Sequence, residues 1–230
     1  MTPYKPYIIR LKGHDKSESL AKDCIQQAAK FNIFPKYFDA IWGKDHEEHS
    51  AKTGLKFMQG YPKDMTLAHY GNFYSHYYLW ESCIRINRPI LVLEHDGYFI
   101  RPIPNDVLDN FTHILKLDSE NPYNGNYEKE LIKKKNNQDS YIKDVTGIHK
   151  KKWFGWYTTG AYCYILKPEG AKTLIDFVKE KGFISTDNLF ADGIMPITLI
   201  TPSVVRLHPG FSGSKIHTLS TKIEMGKPKT

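Results

Sequence analysis

Pro89-Ile90-Leu91-Val92-Leu93-Glu94-His95-Asp96 sets four aliphatic residues in a row and then two acids around a histidine. The proline stops any helix before it, and an unbroken aliphatic run of this length reads as a β-strand covered on both faces. Such strands lie in the middle of parallel sheets, so Glu94-His95-Asp96 falls at the carboxyl end of a central strand, where open α/β sheets carry their ligand sites. In extended chain, residues i and i+2 face the same way, so Glu94 and Asp96 look into one cleft. Carboxylate oxygens suit hard divalent cations such as Mn²⁺ and Mg²⁺, which commonly keep substrate phosphates among their other ligands. The same triplet also serves as a plain solvated strand end, so its surroundings decide.

Upstream, a helix is expected from about Leu67 to Ile86, with Phe73, Tyr77, Trp80 and Ile84 on one face. Residues 43–66 are polar, hold Gly43, Gly54, Gly60 and Pro62, and lack periodicity, so they read as a long loop, of the kind that serves as a functional lid or is mobile. Tyr7 to Leu11 reads as the first strand. Ser17 is placed to cap a helix carrying Leu20, Cys24, Ala28 and Phe31, and Tyr37 to Ile41 reads as the second strand. Strand, helix, strand in so short a span is a βαβ unit, which implies parallel pairing.

Downstream, Thr112 to Leu117 is a strand leading into Asp118. Residues 119–152 form a Lys- and Asn-rich excursion with Lys133 to Lys135 and Lys150 to Lys152, most simply solvated loop charge. Tyr157 to Leu166 reads as a strand. Pro168 opens a helix with Ala171, Leu174, Ile175 and Val178 inward and Gly182 at its end. Ser185-Thr186-Asp187 opens a short helix, Ile197 to Ile200 and Val204 to Leu207 are late strands, and 219–230 is a loose basic tail. The alternation gives an α/β fold: one domain over 1–218 with a Rossmann-like, mostly parallel central sheet flanked by helices.

The 230 residues are 40% hydrophobic and 25% charged, which excludes a wholly disordered chain. The longest strictly aliphatic run, Ile90 to Leu93, is far short of the ~20 apolar residues of a membrane span. Met1 to Pro6 has no apolar stretch of the kind a secretory leader needs. Cys24, Cys83 and Cys163 are odd in number and widely spaced, fitting buried thiols in a reducing compartment, hence the cytoplasm. The net charge of +7 favours anionic partners: phosphorylated small molecules, polyanions or an anionic membrane surface met peripherally.

Gly71-Asn72-Phe73-Tyr74-Ser75-His76, then Leu79-Trp80-Glu81, leads through the aliphatic strand into Glu94-His95-Asp96. This resembles glycosyltransferase family 25, which includes lipopolysaccharide and procollagen galactosyltransferases, with its Gly-X-X-X-Ser-His helix and Glu-Asp-Asp-type acidic motif. Phe38-Asp39-Ala40-Ile41-Trp42-Gly43 is similar to the family's Phe-X-Ala-X-X-Gly segment. Gly160 to Tyr164, with Gly170-Ala171 after it, is similar to its Gly-X-X-X-Tyr strand and following helix. Ser185-Thr186-Asp187 stands where the family has Pro-Val-Asp. The likeness covers most of residues 7–210.

The resemblance implies a GT-A-like fold, a nucleotide-sugar donor that is UDP-linked and carries a hexose, galactose or glucose, and Mn²⁺ or Mg²⁺. It implies that Asp96, matching the last acid, is a metal ligand, and that Glu94, matching the first, meets the donor's ribose or sugar hydroxyls. Ser75 and His76 match the donor-side pattern, although a Ser-His pair on an aromatic helix also serves as a hydrogen-bonded packing element. His95 departs from the family's middle Asp. Asp187 is the candidate general base: a sugar hydroxyl is a poor nucleophile at neutral pH and needs a carboxylate to take its proton. An Asp at a helix start is also stabilised there by the dipole alone. His208, in Leu207-His208-Pro209-Gly210, is a candidate late metal ligand. Gly160 lets backbone approach a ligand closely, or fits a tight strand crossing.

The acceptor implied is a hydroxyl on a glycan, a lipopolysaccharide-type saccharide, a glycolipid or a protein, with inversion at the anomeric carbon. Two other readings stand beside it. One is a non-enzymatic basic module binding nucleic acid or another polyanion through its lysine triplets, and the other is a family member that binds nucleotide sugar without turnover.

Overall fold

The structure, a computed structural model, describes residues 3–61, 65–118, 140–143, 145, 150–152, 154–157 and 160–210. In chain order the elements begin β1 (Lys5–Arg10), α1 (Asp15–Ala29), β2 (Lys36–Asp39), α2 (His46–Thr53), α3 (Leu67–Ile86) and β3 (Ile90–Glu94). There follow β4 (Gly97–Phe99), β5 (Ile114–Lys116), β6 (Ser140–Ile142), β7 (Lys150–Lys152), β8 (Gly155–Tyr157) and β9 (Cys163–Leu166). α4 (Pro168–Lys181), α5 (Thr186–Leu189), β10 (Ile197–Thr201) and β11 (Val205–Leu207) complete the order.

A seven-stranded sheet runs β2-β1-β3-β9-β5-β10-β6. β1 pairs in parallel with β2 and β3, and β5 with β10, while β9 and β6 run against their neighbours. The sheet is therefore mostly parallel in direction, as the βαβ reading requires, with β9 inserted antiparallel between β3 and β5. Strand direction is set by the path of the connection and leaves no mark on a run of apolar residues.

Alternation along β3 splits the core in two. Ile90 and Val92 pack with Phe73, Tyr77, Trp80, Leu174 and Val178 on the side of α3 and α4. Leu91 and Leu93 pack with Ala21, Cys24 and Phe99 on the side of α1. All four are fully buried, each contributing ~1.5–3 kcal/mol. The period of two then carries Glu94 to the α3 side.

α3 begins at Leu67 because Thr66 and His69 close a reciprocal capping box, and it ends at Asn87, which takes the left-handed conformation ahead of Pro89. Its first turn lies directly on the 3-10 turn at Gly43–Asp45. A Cβ on Gly43 would stand 1.9 Å from the Leu67 carbonyl oxygen, and one on Gly71 would stand 2.5 Å from that of Ile41. Only glycine permits this approach.

Several local expectations are corrected. The 43–66 segment is not one loop, since it contains α2. Glu47 and Glu48 in its first turn, Lys52 in its last and left-handed Gly54 after it specify a helix that buries no residue and so shows no apolar stripe. α1 is capped by His14, whose Nδ1 accepts from the Ser17 amide at 3.2 Å, while the Ser17 hydroxyl accepts from Leu11 N. The expected 157–166 strand divides into β8 and β9. Lys150 to Lys152 form β7, hairpin-paired with β8, in place of loop. β11 leaves the main sheet to pair with β4. Lys133 to Lys135 and the 219–230 tail lie outside the described residues.

Cys24, Cys83 and Cys163 are buried free thiols. Among the described residues no helix is long and apolar enough to cross a membrane.

Candidate functional site

Glu94 closes β3 and its Oε1 takes two donors from α3, Asn72 Nδ2 at 2.9 Å and His76 Nε2 at 3.0 Å. Asn72 and His76 are four apart, one helical turn, so both reach the same carboxylate. Behind His76 the bonds continue inward. Tyr164 Oη stands 2.7 Å from His76 Nδ1 and accepts from Trp80 Nε1 at 3.0 Å. An ionised carboxylate only accepts, so His76 presents Nε2–H to Glu94, and Nδ1 of the neutral ring then accepts from the Tyr164 hydroxyl. Burial opposes ionisation of Glu94, but the hydrogen bonds from His76 and Asn72 outweigh it and bring its pKa down to about 2. The side chain keeps 19% of its surface exposed, which a ligand can reach.

Asp96 lies in the two-residue turn between β3 and β4, buried, and its Oδ1 has no hydrogen-bond partner. Burial, then the charges of Glu94 and Asp187, raise its pKa well above the usual carboxylate range. His95 lies between them, and its Nε2 is buried without a partner. Burial lowers its pKa, with His14 and Lys16 at the start of α1 adding to the effect.

Asp187 is the second residue of α5 and is exposed, and its charge reaches both Asp96 and Asp118. Gly160 sits just before β9 at φ +81°, a conformation that favours glycine. Its carbonyl accepts from Lys116 Nζ. Glu94, Asp96, Asp187 and Gly160 thus belong to one end of the sheet, at the carboxyl ends of β3 and β5.

Ser75 and His208 are placed differently. The Ser75 hydroxyl donates to the Gly71 carbonyl at 2.6 Å and accepts from Ile41 N at 2.9 Å, tying α3 to the segment after β2. His208 sets its main chain against Asp96, with His208 N donating to Asp96 O at 2.7 Å. Its ring lies edge-on to Tyr98, accepts from Gly210 N and stands 3.9 Å from Asp23 Oδ2. Among the described residues no three His, Cys, Asp or Glu side chains gather as a cation cage. A single carboxylate with an unpartnered oxygen nevertheless fits Mg²⁺ or Mn²⁺, which take their remaining ligands from water and substrate phosphates.

The family model for glycosyltransferase family 25 (LPS biosynthesis protein) matches residues 4–190. The chain belongs to glycosyltransferase family 25. The match runs from β1 through Asp187 and takes in every candidate except His208. Two curated relatives, each described as a glycosyltransferase 25 family member, are similar. The one from Aedes aegypti is 29% identical over 153 residues, 61% of this chain and 23% of its own length. The one from Anopheles gambiae is 28% identical over 151 residues, 60% and 23% respectively. The matched stretch thus spans less than a quarter of those relatives. Distant likenesses in shape include CTP:phosphocholine cytidylyltransferase from Streptococcus pneumoniae (13% identity, TM-score 0.41, 96% of this chain and 100% of that one). Mouse xyloside xylosyltransferase 1 in its apo form is another (11% identity, TM-score 0.40, 86% and 85%).

In this family-25 chain the reading of residue types missed Asn72, Tyr164, Lys116 and Asp118. Asn72 and Tyr164 stand inside the quoted family motifs. Lys116, a charge at an inward position of the strand Ile114-Leu115-Lys116-Leu117, was the signal available in the sequence for the other pair.

Proposed function

We propose that this family-25 chain transfers a hexose, galactose or glucose, from a UDP-linked donor to a saccharide hydroxyl, with Mn²⁺ or Mg²⁺ and with inversion. The observation that carries the reading is the pair of unlike carboxylates at the end of β3. Glu94 is held ionised by Asn72 and His76, and Asp96 is buried with an oxygen lacking any partner.

Each residue then has a role. Asp96 would hold the cation together with the donor's diphosphate, and the cation supplies Lewis-acid stabilisation of the charge growing on the departing nucleoside diphosphate. Glu94, acceptor-only when ionised and fixed on one side by α3, takes hydrogen bonds from ribose or sugar hydroxyls. The turn at Gly160 lets main chain approach the donor. Asp187, exposed on α5, takes the proton of the acceptor hydroxyl as its oxygen attacks the anomeric carbon opposite the leaving diphosphate.

The test is UDP release from UDP-galactose and UDP-glucose with Mn²⁺, Mg²⁺ or chelator, with simple saccharides added as acceptors. Metal-dependent release, accelerated by a saccharide and lost ~10²-fold or more in Asp187→Asn, is the expected result. Absence of metal-dependent binding or release with every nucleotide sugar would refute the reading.

A further inference from the structure

Lys116 is fully buried at the end of β5, on the face where its strand neighbour Ile114 packs into the core. Its ammonium stands 3.1 Å from Asp118 Oδ2, donates to the Gly160 carbonyl, and lies 5.4 Å from the Phe190 ring and 6.0 Å from the Tyr162 ring. Asp118 is equally buried, and neither of its carboxylate oxygens has a hydrogen-bond partner, so its contact with Lys116 is an ion pair. Moving two charges out of water costs several kcal/mol per ion, and apolar side chains of the same volume are often as stabilising or more so. A Lys–Asp pair in an apolar strand is thus poorly explained by stability.

Its position offers another explanation. Residues 160–163 are strapped to both strand ends that carry the site. Glu94 N donates to Tyr162 O at 2.8 Å on the β3 side, and Leu117 N donates to Cys163 O at 3.3 Å on the β5 side. Gly160, at positive φ, has no ladder partner among the described residues, and Lys116 donates the bond that holds its carbonyl. We propose that Lys116 and Asp118 are positioning residues for the donor: the ammonium pins the Gly160 carbonyl, and the carboxylate holds the ammonium, so that this turn meets the nucleotide sugar in one conformation. This rests on the donor reading above.

The double variant Lys116→Met/Asp118→Asn removes both charges at nearly constant volume, leaving no unpaired ion. Its unfolding midpoint and its affinity for UDP-galactose and UDP-glucose with Mn²⁺ are measured by scanning and titration calorimetry. The expected result is a midpoint within a few degrees of wild type and a Kd raised tenfold or more. Gly160→Ala, which perturbs the same turn while leaving the Lys116 and Asp118 side chains in place, should raise Kd similarly, and the triple variant should be no worse than either. An unchanged Kd, or stability and affinity falling together, overturns the proposal. Should the double variant not fold, an unaltered Kd in Gly160→Ala overturns it alone. Failure of wild type to bind either UDP-sugar would instead refute the donor reading, in an arm containing no variant, and the positioning role with it.

Discussion

His76 Nε2 stands 3.0 Å from Glu94 Oε1, while the other nitrogen of the same ring stands 2.7 Å from the Tyr164 hydroxyl. The imidazole therefore links a buried tyrosine and tryptophan to the carboxylate at the mouth of the site, and its orientation is held from both sides.

Tyr164→Phe breaks this chain in the middle. It strips the Trp80 indole of its acceptor and His76 Nδ1 of its donor, both in the interior. The expected loss is about 2–3 kcal/mol of unfolding free energy, measured by urea titration. A loss below ~0.5 kcal/mol would mean that water or repacking satisfies both groups.

Glu94 governs stability at low pH. Its folded pKa of about 2 lies below the usual 4.5, so its stabilisation is complete above pH 4.5 and disappears as pH falls towards 2. The amount is on the order of 3 kcal/mol. Unfolding free energy followed across that range should fall in wild type, and Glu94→Gln should lack this component.

Asp118 acts in the opposite sense. Burial, only partly offset by Lys116, raises its pKa from 3.8 to about 6. The fold favours the neutral acid, so the associated stability is present below pH ~4 and is lost as pH rises through 6, again on the order of 3 kcal/mol. Carbonyl-carbon NMR of Asp118 should show the midpoint near pH 6, and an ordinary aspartate midpoint would contradict the buried pair.

Gly71→Ala tests the placement of α3. The new methyl would meet the Ile41 carbonyl at 2.5 Å and Gly43 N at 2.9 Å, backbone atoms that cannot turn aside. We expect about 3 kcal/mol of destabilisation by chemical unfolding, against the gain of about 1 kcal/mol where alanine replaces glycine in an open helix.

The frame was legible because its signals are local. An aliphatic run between Pro89 and Glu94 specified β3, an aromatic face specified α3, and Pro168 with Gly182 bracketed α4. α2 escaped notice because it buries no residue, leaving only acids at its start, Lys52 and Gly54 to mark it. The antiparallel course of β9 was illegible for another reason: Tyr164-Ile165-Leu166 is equally apolar whichever way it runs. Within the site, Glu94 and Asp96 stood out as a spaced pair of acids. Their unlike environments did not, since these depend on Asn72 and His76 being 22 and 18 residues away in sequence yet adjacent in space. Ser75 looked like a companion of His76 in the motif, but one position along a helix turns a side chain by about 100°, and its hydroxyl faces Gly71 and Ile41.

The central claim, that Asp96 takes a cation to the diphosphate of a nucleotide, is tested most directly by calorimetric unfolding with UDP and Mn²⁺, in wild type and Asp96→Asn. With UDP at 100 times its Kd, wild type should gain about 2.7 kcal/mol, several degrees in midpoint, only when Mn²⁺ is present. Asp96→Asn should lose the metal-dependent part of that gain. A variant stabilised by UDP and Mn²⁺ as fully as wild type, or a wild type indifferent to the metal, would contradict the account.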